Sequence, residues 1–446
     1  MPFIKSNNKS SYLLTILSII TYLSFGYFTQ RTGFYYVFFQ YCILFFCFLG
    51  LYKFEKNNLK FLKVISFSFR LILLFSIPNL SNDFYRFIWD GRMIWQGLNP
   101  YLSLPEVWVS TQPNIIANAE ELYKGMGSMN GSNYTCYPPI NQLGFLIPAM
   151  LFSKHILGST IVMRIILILA DLGTLFYGQK LLDRLNLSRS NIYLYILNPF
   201  IILELTGNLH FEGLMIFFLL GSVYYITVRY WKCSAMFLAL SICVKAIPLL
   251  FLPLFFRQLS FKQFIYFGCI TLGTIIMLFT PFVSSELIDN FMQSINLYFQ
   301  NFEFNASIYY VIREIGYQNV GYNIIQTVGK ITPIVIILFV GILALLKQNK
   351  NIKFLLHSLL FSISFYYFLS TTIHPWYIAL PLIISVFTPH FKYPLVWSFM
   401  MILSYSAYIT PEYHENLWLV AVEYIVVYGV MIWDFKTLKN KELYLI

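Results

Sequence analysis

Two aspartates beside a long apolar run are the residues of this sequence best suited to acid–base chemistry. Asp83 follows the apolar stretch that ends near residue 80, and Asp90 comes seven residues later. If the segment is helical, both carboxylates lie on one face, because seven residues make almost two full turns. A carboxylate that is partly shielded from water has a raised pKa and can act as a general base. The alternative is that both groups cap a helix or form ion pairs at an interface.

Three further ionisable residues stand where the sequence is otherwise apolar. Lys245 interrupts an apolar run shortly before Pro248. A lysine there is costly in a membrane, so it either reaches to the surface, meets an anion or forms a structural ion pair. His210 and Glu212 are two residues apart, whereas metal ligands on one helix face are four apart. We therefore interpret this pair as hydrogen-bonding groups, with a satisfied polar cluster as the alternative.

The composition predicts a protein embedded in a membrane. Of 446 residues, 58% are hydrophobic and 11% are charged, against about 25% charged in soluble domains. The six cysteines include no Cys-x-x-Cys pair, so we expect no metal and no cofactor. The net charge of +11 comes from lysines in short clusters between apolar runs. This pattern is typical of cytoplasmic loops, and we expect no nucleic-acid partner.

Apolar runs recur along the whole chain. They predict an all-α polytopic membrane protein with about twelve transmembrane helices. The expected helices cover residues 12–28, 33–52, 62–80, 158–178, 190–206, 208–230, 263–283, 331–346, 353–373, 376–388, 393–409 and 416–434. Because these runs extend from one end of the sequence to the other, we expect a single transmembrane domain over residues 1–446.

Charged residues sort the loops between these helices into two sides. The side rich in basic residues is cytoplasmic by the positive-inside rule, and it holds Lys5, Lys9, Lys53, Lys60, Lys180, Arg184, Arg189, Arg229, Lys232, Lys347, Lys350, Lys353, Lys392, Lys436, Lys439 and Lys441. The opposite side holds most carboxylates and a first outer loop, residues 81–137. A loop of this length is usually functional or disordered, and we expect it to be the catalytic loop.

Two apolar stretches do not fit this alternation as full crossings. They are residues 138–153 and residues 233–256, and the second is broken by Lys245 and Pro248. As full spans they would move later basic clusters to the outer side. We therefore expect half-helices or re-entrant segments, which are stable at membrane depth where they are buried or line a cavity. Two ordinary helices and one misjudged loop are the alternative.

The segment around Asp83 resembles a known enzyme superfamily. Its motifs are similar to the first outer loop of glycosyltransferase C enzymes, and most similar to mannosyltransferases that use polyprenol-phosphate sugars, including the first mannosyltransferase of GPI-anchor synthesis. The motifs are Asn82-Asp83-Phe84-Tyr85-Arg86, Asp90-Gly91-Arg92, Gly97-Leu98-Asn99-Pro100-Tyr101 and Tyr137-Pro138-Pro139. Later motifs follow in the same order, namely Asn198-Pro199 with Glu204, Gly207-Asn208-Leu209-His210-Phe211-Glu212, Lys245 with Pro248, and His374-Pro375-Trp376-Tyr377. The resemblance covers residues 81 to 377.

The resemblance implies a membrane glycosyltransferase with its active site on the extracytoplasmic face. A hexose, mannose in the nearest relatives, would move from a polyprenyl-phosphate sugar donor to a lipid-linked or extracytoplasmic glycan acceptor, and Asp83 would be the catalytic base. The GPI enzyme carries an Asp-x-Asp in this loop, whereas this chain offers the single carboxylate of Asp83 there. This difference argues against a bound metal. The richness in Lys, Asn, Ile, Phe and Tyr indicates a low-GC bacterium, and hence a bacterial inner membrane.

The residues expected to bind substrate are Asp90, Arg92, Tyr137, Asn208, His210, Glu212, Lys245, Asn305, Arg313 and His374. Lys245 is expected to meet the lipid phosphate, and Arg313 is a second candidate for that role. His210 and Glu212 would hydrogen-bond the sugar. Trp376 could stack on a sugar ring, although anchoring in the interfacial aromatic belt is favoured. Asn305 begins a formal glycosylation sequon that its aromatic neighbours predict to be packed.

Two other classes of membrane protein stay open. A secondary transporter would share the helix count but should show two related halves, which this sequence does not display. A flippase for lipid-linked saccharides would also bind lipid phosphates, so Lys245 does not distinguish it from an enzyme. Asp83 does distinguish the two, because only the enzyme needs a base.

Overall fold

The computed structural model describes residues 8–410 and 413–443, so the predicted cytoplasmic Lys5 lies outside the described residues. Over these ranges the chain is helical and has no β-strand, only an isolated bridge between Phe304 and Thr372. The α-helices are α1 (Lys9–Phe28), α2 (Phe34–Glu55), α3 (Leu59–Ile72), α4 (Asp83–Trp95), α5 (Pro105–Thr111), α6 (Ala119–Gly131), α7 (Pro139–Leu151), α8 (Ile156–Arg184), α9 (Tyr193–Ile196), α10 (Pro199–Ile201), α11 (Glu212–Thr227), α12 (Trp231–Val244), α13 (Phe261–Phe279), α14 (Leu287–Gln300), α15 (Ile308–Val320), α16 (Ile325–Leu345), α17 (Ile352–Leu369), α18 (Ala379–Val386), α19 (Tyr393–Met400) and α20 (Leu417–Leu443). Short 3-10 helices cover Arg189–Ile192, Ile247–Gln258, Thr280–Phe282, Lys347–Lys350, Pro375–Ile378 and Met401–Tyr408, and Ile202–Gly207 is π-helical.

Seven helices of the described chain are long and apolar enough to cross a membrane. They are Lys9–Phe28, Phe34–Glu55, Ile156–Arg184, Phe261–Phe282, Ile325–Leu345, Ile352–Leu369 and Leu417–Leu438. Pro199–Gly207 and Glu212–Thr227 form an eighth candidate that is bent by 113°. The chain is therefore an all-helical integral membrane protein, but the predicted number of about twelve crossings is not confirmed.

Several predicted helices are shorter or more broken than their apolar runs. The run at 62–80 is helical only to Ile72, and the run at 190–206 breaks at Asn198, whose side chain accepts the Phe200 N–H at 3.0 Å. Pro199 follows at the first position of the next helix, where its lack of an N–H costs nothing. The stretches 138–153 and 233–256 also form short helices, namely α7, α12 and the segment Ile247–Gln258.

A buried arginine holds two of these irregular segments together. Arg164 of α8 donates to the carbonyls of Thr206 and Gly207 at 2.9 and 2.8 Å. It also donates to the carbonyls of Leu74 and Ser76 at 2.8 and 2.9 Å. Backbone groups without partners are expensive at membrane depth, so these bonds stabilise the two chain segments that lead to Asp83 and to His210.

The predicted outer loop, residues 81–137, is largely helical, since it contains α4, α5 and α6. Arg86 of α4 donates to the carbonyls of Asn130 and Asn133 at 2.5 and 2.8 Å, which ties α4 to the end of α6. On another side, Gln142 of α7 donates to the Asp90 carboxylate at 3.1 Å. Asp83, the first residue of α4, is thus placed by packing with both neighbouring helices.

Gly91 lets α4 and α7 approach each other closely. A Cβ atom here would lie 2.0 Å from the Phe145 carbonyl oxygen, a backbone atom that cannot rotate away. We expect Gly91→Ala to lower the free energy of unfolding, measured in detergent, by ~1–3 kcal/mol or more. This is the usual cost of inserting an extra group into a well-packed core. Gly268→Ala is the control, because nothing lies within 4 Å of a Cβ there. Equal stability of the two variants would contradict the close contact.

Candidate active site

An open cavity of about 1030 Å³ is lined by residues of α4, α6, α16 and the segment Ile247–Gln258. Four of the sequence-predicted residues line it, namely Asp83, Tyr137, Lys245 and His374. The other lining residues include a polar and aromatic group (Arg31, Ser81, Asn82, Asn130, Trp376, Tyr377, Tyr405, Tyr408, Tyr413) and an apolar group (Leu249, Leu250, Pro253, Pro333, Ile336, Ile337, Val340). The apolar residues come from α16 and the segment Ile247–Gln258. The polar and aromatic residues come from connecting turns, from α6 and from the short 3-10 helices Pro375–Ile378 and Met401–Tyr408.

Asp83 presents its carboxylate to this cavity from the first turn of α4. The Asn130 side chain donates to the carboxylate at 3.3 Å, and the Asp83 N–H donates to the Ser81 hydroxyl at 3.3 Å. Burial raises the pKa of Asp83 above the ordinary aspartate range, and the nearby charges of Lys245 and Arg31 oppose this rise. A carboxylate with a raised pKa that faces a cavity is suited to proton transfer.

Lys245 forms a buried ion pair with Glu212. Lys245 ends α12, and its ammonium contacts the Glu212 carboxylate at the start of α11. The Glu212 side chain is 1% exposed and the Lys245 side chain 18% exposed, so the lysine is the member of the pair that reaches the cavity. The ammonium also lies 5.6 Å from the centre of the Tyr377 ring. Of the three sequence interpretations of Lys245, the ion pair is therefore present in the structure.

Three rings form a continuous stack beside this pair. The centre of the Trp376 ring lies 3.6 Å from that of the His210 ring and 4.6 Å from that of the His374 ring, and both imidazoles are nearly parallel to the indole, at 17° and 5°. Trp376 is 8% exposed, so the favoured interpretation of this residue as a membrane-belt anchor was wrong. The ring packs inward against His210 and His374, and a single sequence does not reveal such tertiary contacts.

His374 is a neutral imidazole in this setting. Burial, followed by the charge of Lys245, lowers the pKa of His374 to about 3. Its Nδ1 atom is buried and has no hydrogen-bond partner in the described residues, and the same holds for Nε2 of His210. Two buried ring nitrogens without partners beside a cavity leave hydrogen-bonding capacity for a ligand or for water.

Asp90 and Arg92 lie outside the cavity lining, although the sequence predicted them to bind substrate. Asp90 is on α4 as expected, but it forms a buried ion pair with Arg86 at 2.7 Å and accepts a bond from Gln142. Arg92 donates to the Asn118 side chain at 3.0 Å. Contacts of this kind are expected of residues with a purely structural role. The ion pair of Asp90 with Arg86 also matches the alternative interpretation given for Asp90.

Asn208 is also engaged within the fold. Its side-chain oxygen accepts the Leu80 N–H at 3.0 Å, and its side-chain nitrogen donates to the Leu203 carbonyl at 2.9 Å. Asn208 therefore connects the chain before Asp83 to the bend that precedes His210. Its place in the motif reflects the positioning of cavity residues, and its own side chain does not line the cavity.

Asn305 and Arg313 lie in a second polar cluster that does not line the cavity. Asn305 is buried and its amide nitrogen contacts both Glu423 carboxylate oxygens, at 3.2 and 3.3 Å. The predicted packing of its glycosylation sequon is thus confirmed. Arg313 forms an ion pair with Glu303 at 2.5 Å. The structure does not bring Arg313 to the cavity that holds Asp83.

The sequence interpretation missed several residues of the cavity wall, and Arg31 is the most informative of them. Arg31 lies in the short turn between α1 and α2, and its guanidinium is 4.7 Å from the centre of the Tyr408 ring. Asn130, which bonds Asp83, was missed as well. A charged residue in a turn beside two membrane helices was the available signal for Arg31, whereas nothing in the sequence marks Asn130.

Comparison with known proteins connects this geometry to an enzyme family. A family model described as alpha-(1->6)-mannopyranosyltransferase, N-terminal domain, matches residues 9–259. No curated protein matches the sequence. The matched region is more than half of the chain and includes Arg31, Asp83, His210, Glu212 and Lys245. It confirms the resemblance to mannosyltransferases of the glycosyltransferase C type, and the chain belongs to the MptA_B family of membrane mannosyltransferases.

Proposed function

We propose that this protein transfers mannose from a polyprenyl-phosphate sugar to a glycan or lipid-linked acceptor. The observation that carries the proposal is the two-part lining of the cavity. Asp83, Lys245 and His374 line one part, while α16 contributes apolar side chains to the other. A lipid-linked sugar has the same division, because a polar sugar phosphate is joined to a hydrocarbon chain.

The apolar part of the cavity is open to the side of the helical bundle. Ile337 of α16 is 67% exposed and Leu249 is 49% exposed, and both line the cavity. In a bilayer such side chains face lipid tails. A polyprenyl chain could therefore lie in this part of the cavity while its head group reaches Asp83. A water-soluble nucleotide sugar would gain nothing from these side chains.

The proposed reaction is a single displacement with inversion. The acceptor hydroxyl attacks the anomeric carbon, its proton passes to the Asp83 carboxylate, and the bond from that carbon to the phosphate oxygen breaks. The donor phosphodiester carries one negative charge and leaves as a phosphate monoester with two. The charge that Asp83 loses on protonation thus appears on the leaving lipid phosphate, and the reaction needs no redox partner.

The ring stack and its histidines are proposed to hold the sugar. His374 lines the cavity with an unpartnered nitrogen in the described structure, and Trp376, which is stacked against it, also lines the cavity. Sugar hydroxyls pair with neutral imidazoles, which offer one donor and one acceptor. Lys245 is proposed to lie near the sugar phosphate. The alpha-(1->6) linkage named for the family is the product linkage that we propose.

The proposed location is the bacterial inner membrane, with the cavity on the extracytoplasmic face. Support comes from the charge pattern of the sequence, which predicts the basic loops on one side of the membrane and Asp83 on the other. A flippase would use the same lipid phosphate but needs no base. The partly buried carboxylate at the cavity therefore favours the enzyme over the flippase.

The direct test incubates the purified protein in detergent with polyprenyl-phosphate mannose and a lipid-linked mannoside acceptor. We expect release of polyprenyl phosphate and growth of the acceptor by one mannose with an alpha-(1->6) bond. Polyprenyl-phosphate glucose serves as the matched donor to test the sugar. Faster use of the glucose donor would overturn the assignment of mannose as the transferred sugar. Use of neither donor would overturn the proposal that the donor is a polyprenyl-phosphate sugar.

A further inference from the structure

Arg31 is a cavity cation that forms no ion pair with a carboxylate of the described residues. It lines the same cavity as Asp83 and Lys245, although it comes from the turn between α1 and α2, far away in sequence. No ion pair and no side-chain hydrogen bond of Arg31 occurs within residues 8–410 and 413–443. Its described contact is the face of the Tyr408 ring, 4.7 Å from the guanidinium carbon.

The other cation of this wall, Lys245, already has a carboxylate partner. Lys245 is paired with Glu212, whose second carboxylate oxygen is buried without a partner in the described structure. Lys245 therefore brings little net positive charge to a ligand. Asp83 adds a negative charge, and His374 is neutral. An anion that enters this cavity would find at Arg31 a cation that forms no ion pair within the described residues.

The reaction increases the need for such a charge. The lipid phosphate gains a second negative charge as it leaves, at the moment when Asp83 loses its own. A guanidinium can donate two parallel N–H bonds to phosphate oxygens. Stacking on an aromatic ring leaves those N–H groups free, because they point outward in the plane of the guanidinium. Arg31, which lies over the Tyr408 ring, is therefore better suited to bind a doubly charged phosphate than Lys245, which is already paired with Glu212.

We propose that Arg31 binds the phosphate of the lipid carrier and holds it most tightly in the product state, after the sugar has left. The proposal rests on the function proposed above. Lys245 would lie near the sugar phosphate, as proposed above, with much of its charge taken up by Glu212. The role of Arg31 also predicts that free polyprenyl phosphate is a strong product inhibitor, because the same site then holds the dianion.

The test measures binding of a short-chain polyprenyl monophosphate to the purified protein, without turnover. We expect Arg31→Gln to weaken binding about 10- to 100-fold, as the loss of a charge-assisted pair requires. Arg31→Lys should weaken it less, because the charge stays while the paired geometry is lost. Arg184→Gln, at an exposed arginine of α8, is the matched control and should bind like the unaltered protein.

The outcomes separate this inference from the proposed function. Unchanged binding by Arg31→Gln would overturn the role of Arg31, whether or not the protein transfers mannose. Binding that depends on Arg31 in a protein that transfers no sugar would support the phosphate site and overturn the transferase. If the unaltered protein did not bind the monophosphate, the phosphate site itself would be wrong. Thermal unfolding of each variant, expected to match the unaltered protein, excludes misfolding as the cause of weaker binding.

Discussion

The Asp83→Asn variant is expected to bind the polyprenyl-phosphate sugar and to transfer the sugar at least about a hundredfold more slowly, within the range for loss of a general base. Asparagine keeps a side-chain oxygen that can still accept the bond from Asn130, so the cavity should keep its shape. The amide cannot take a proton from the acceptor hydroxyl at neutral pH. Single-turnover transfer and separate donor binding measure the two expectations.

Asp90→Asn is the matched control on the same helix. Asp90 is paired with Arg86 at 2.7 Å and both side chains are buried, so this variant leaves a buried guanidinium without its charge partner. We expect a loss of stability that exceeds the loss of transfer rate measured on the folded fraction. Near-normal transfer by Asp83→Asn would remove Asp83 as the base and leave Glu212, the ion-pair partner of the cavity residue Lys245, as the next candidate.

The pH dependence of transfer gives a second test of the role of Asp83 as the general base. A base works only when it is deprotonated, so the rate should fall as the pH drops through the pKa of Asp83. Burial raises that pKa above the ordinary aspartate range. The acidic fall in rate should therefore occur at a higher pH than for an exposed aspartate, and the Asp83→Asn variant should lose this fall. An acid limb that is unchanged in the variant would belong to another group.

The helical membrane fold followed from the sequence because composition and apolar length suffice for it. The bounds of α1, α2, α8, α16 and α17 lie close to the predicted runs. The breaks were not predictable in the same way. The helix of the run at 62–80 ends at Ile72, and Arg164, ninety residues away from Leu74, donates to the carbonyls of Leu74 and Ser76 that this end leaves free. A long-range partner of this kind leaves no local pattern in one sequence.

The site was predictable to the extent that motif residues line the cavity. Asp83 and Lys245 do so, and polar residues in apolar surroundings were the signal for both. Asp90 and Arg92 belong to the same motif, yet their partners are inside the fold. The residue type alone cannot tell a substrate contact from a buried structural pair. Arg31 is the opposite case, because its proposed role depends on its position beside Tyr408 and near Asp83 in the folded chain.

The second large effect is expected for Lys245, through its buried partner. Lys245→Ala leaves the Glu212 carboxylate, 1% exposed, without its countercharge. Removal of one partner from a buried pair typically costs about 3–5 kcal/mol. We therefore expect a clearly lower unfolding temperature in detergent, together with transfer that is at least about a hundredfold slower, a loss of the size seen when a charged hydrogen-bonding group is removed from an active site. Lys245→Arg should keep most of the stability, because the charge is retained.

A double variant separates the structural part of this effect from the chemical part. Lys245→Met with Glu212→Gln removes both charges, so no buried carboxylate is left unpaired, and replacing a buried pair in this way is often neutral for stability. We expect the double variant to unfold near the temperature of the unaltered protein while its sugar transfer stays slow. This result would show that the pair is kept at the cavity for substrate, because its removal costs activity and little stability. Recovery of both stability and transfer would instead make Lys245 and Glu212 a purely structural pair, and the sugar phosphate would then depend on other residues of the cavity.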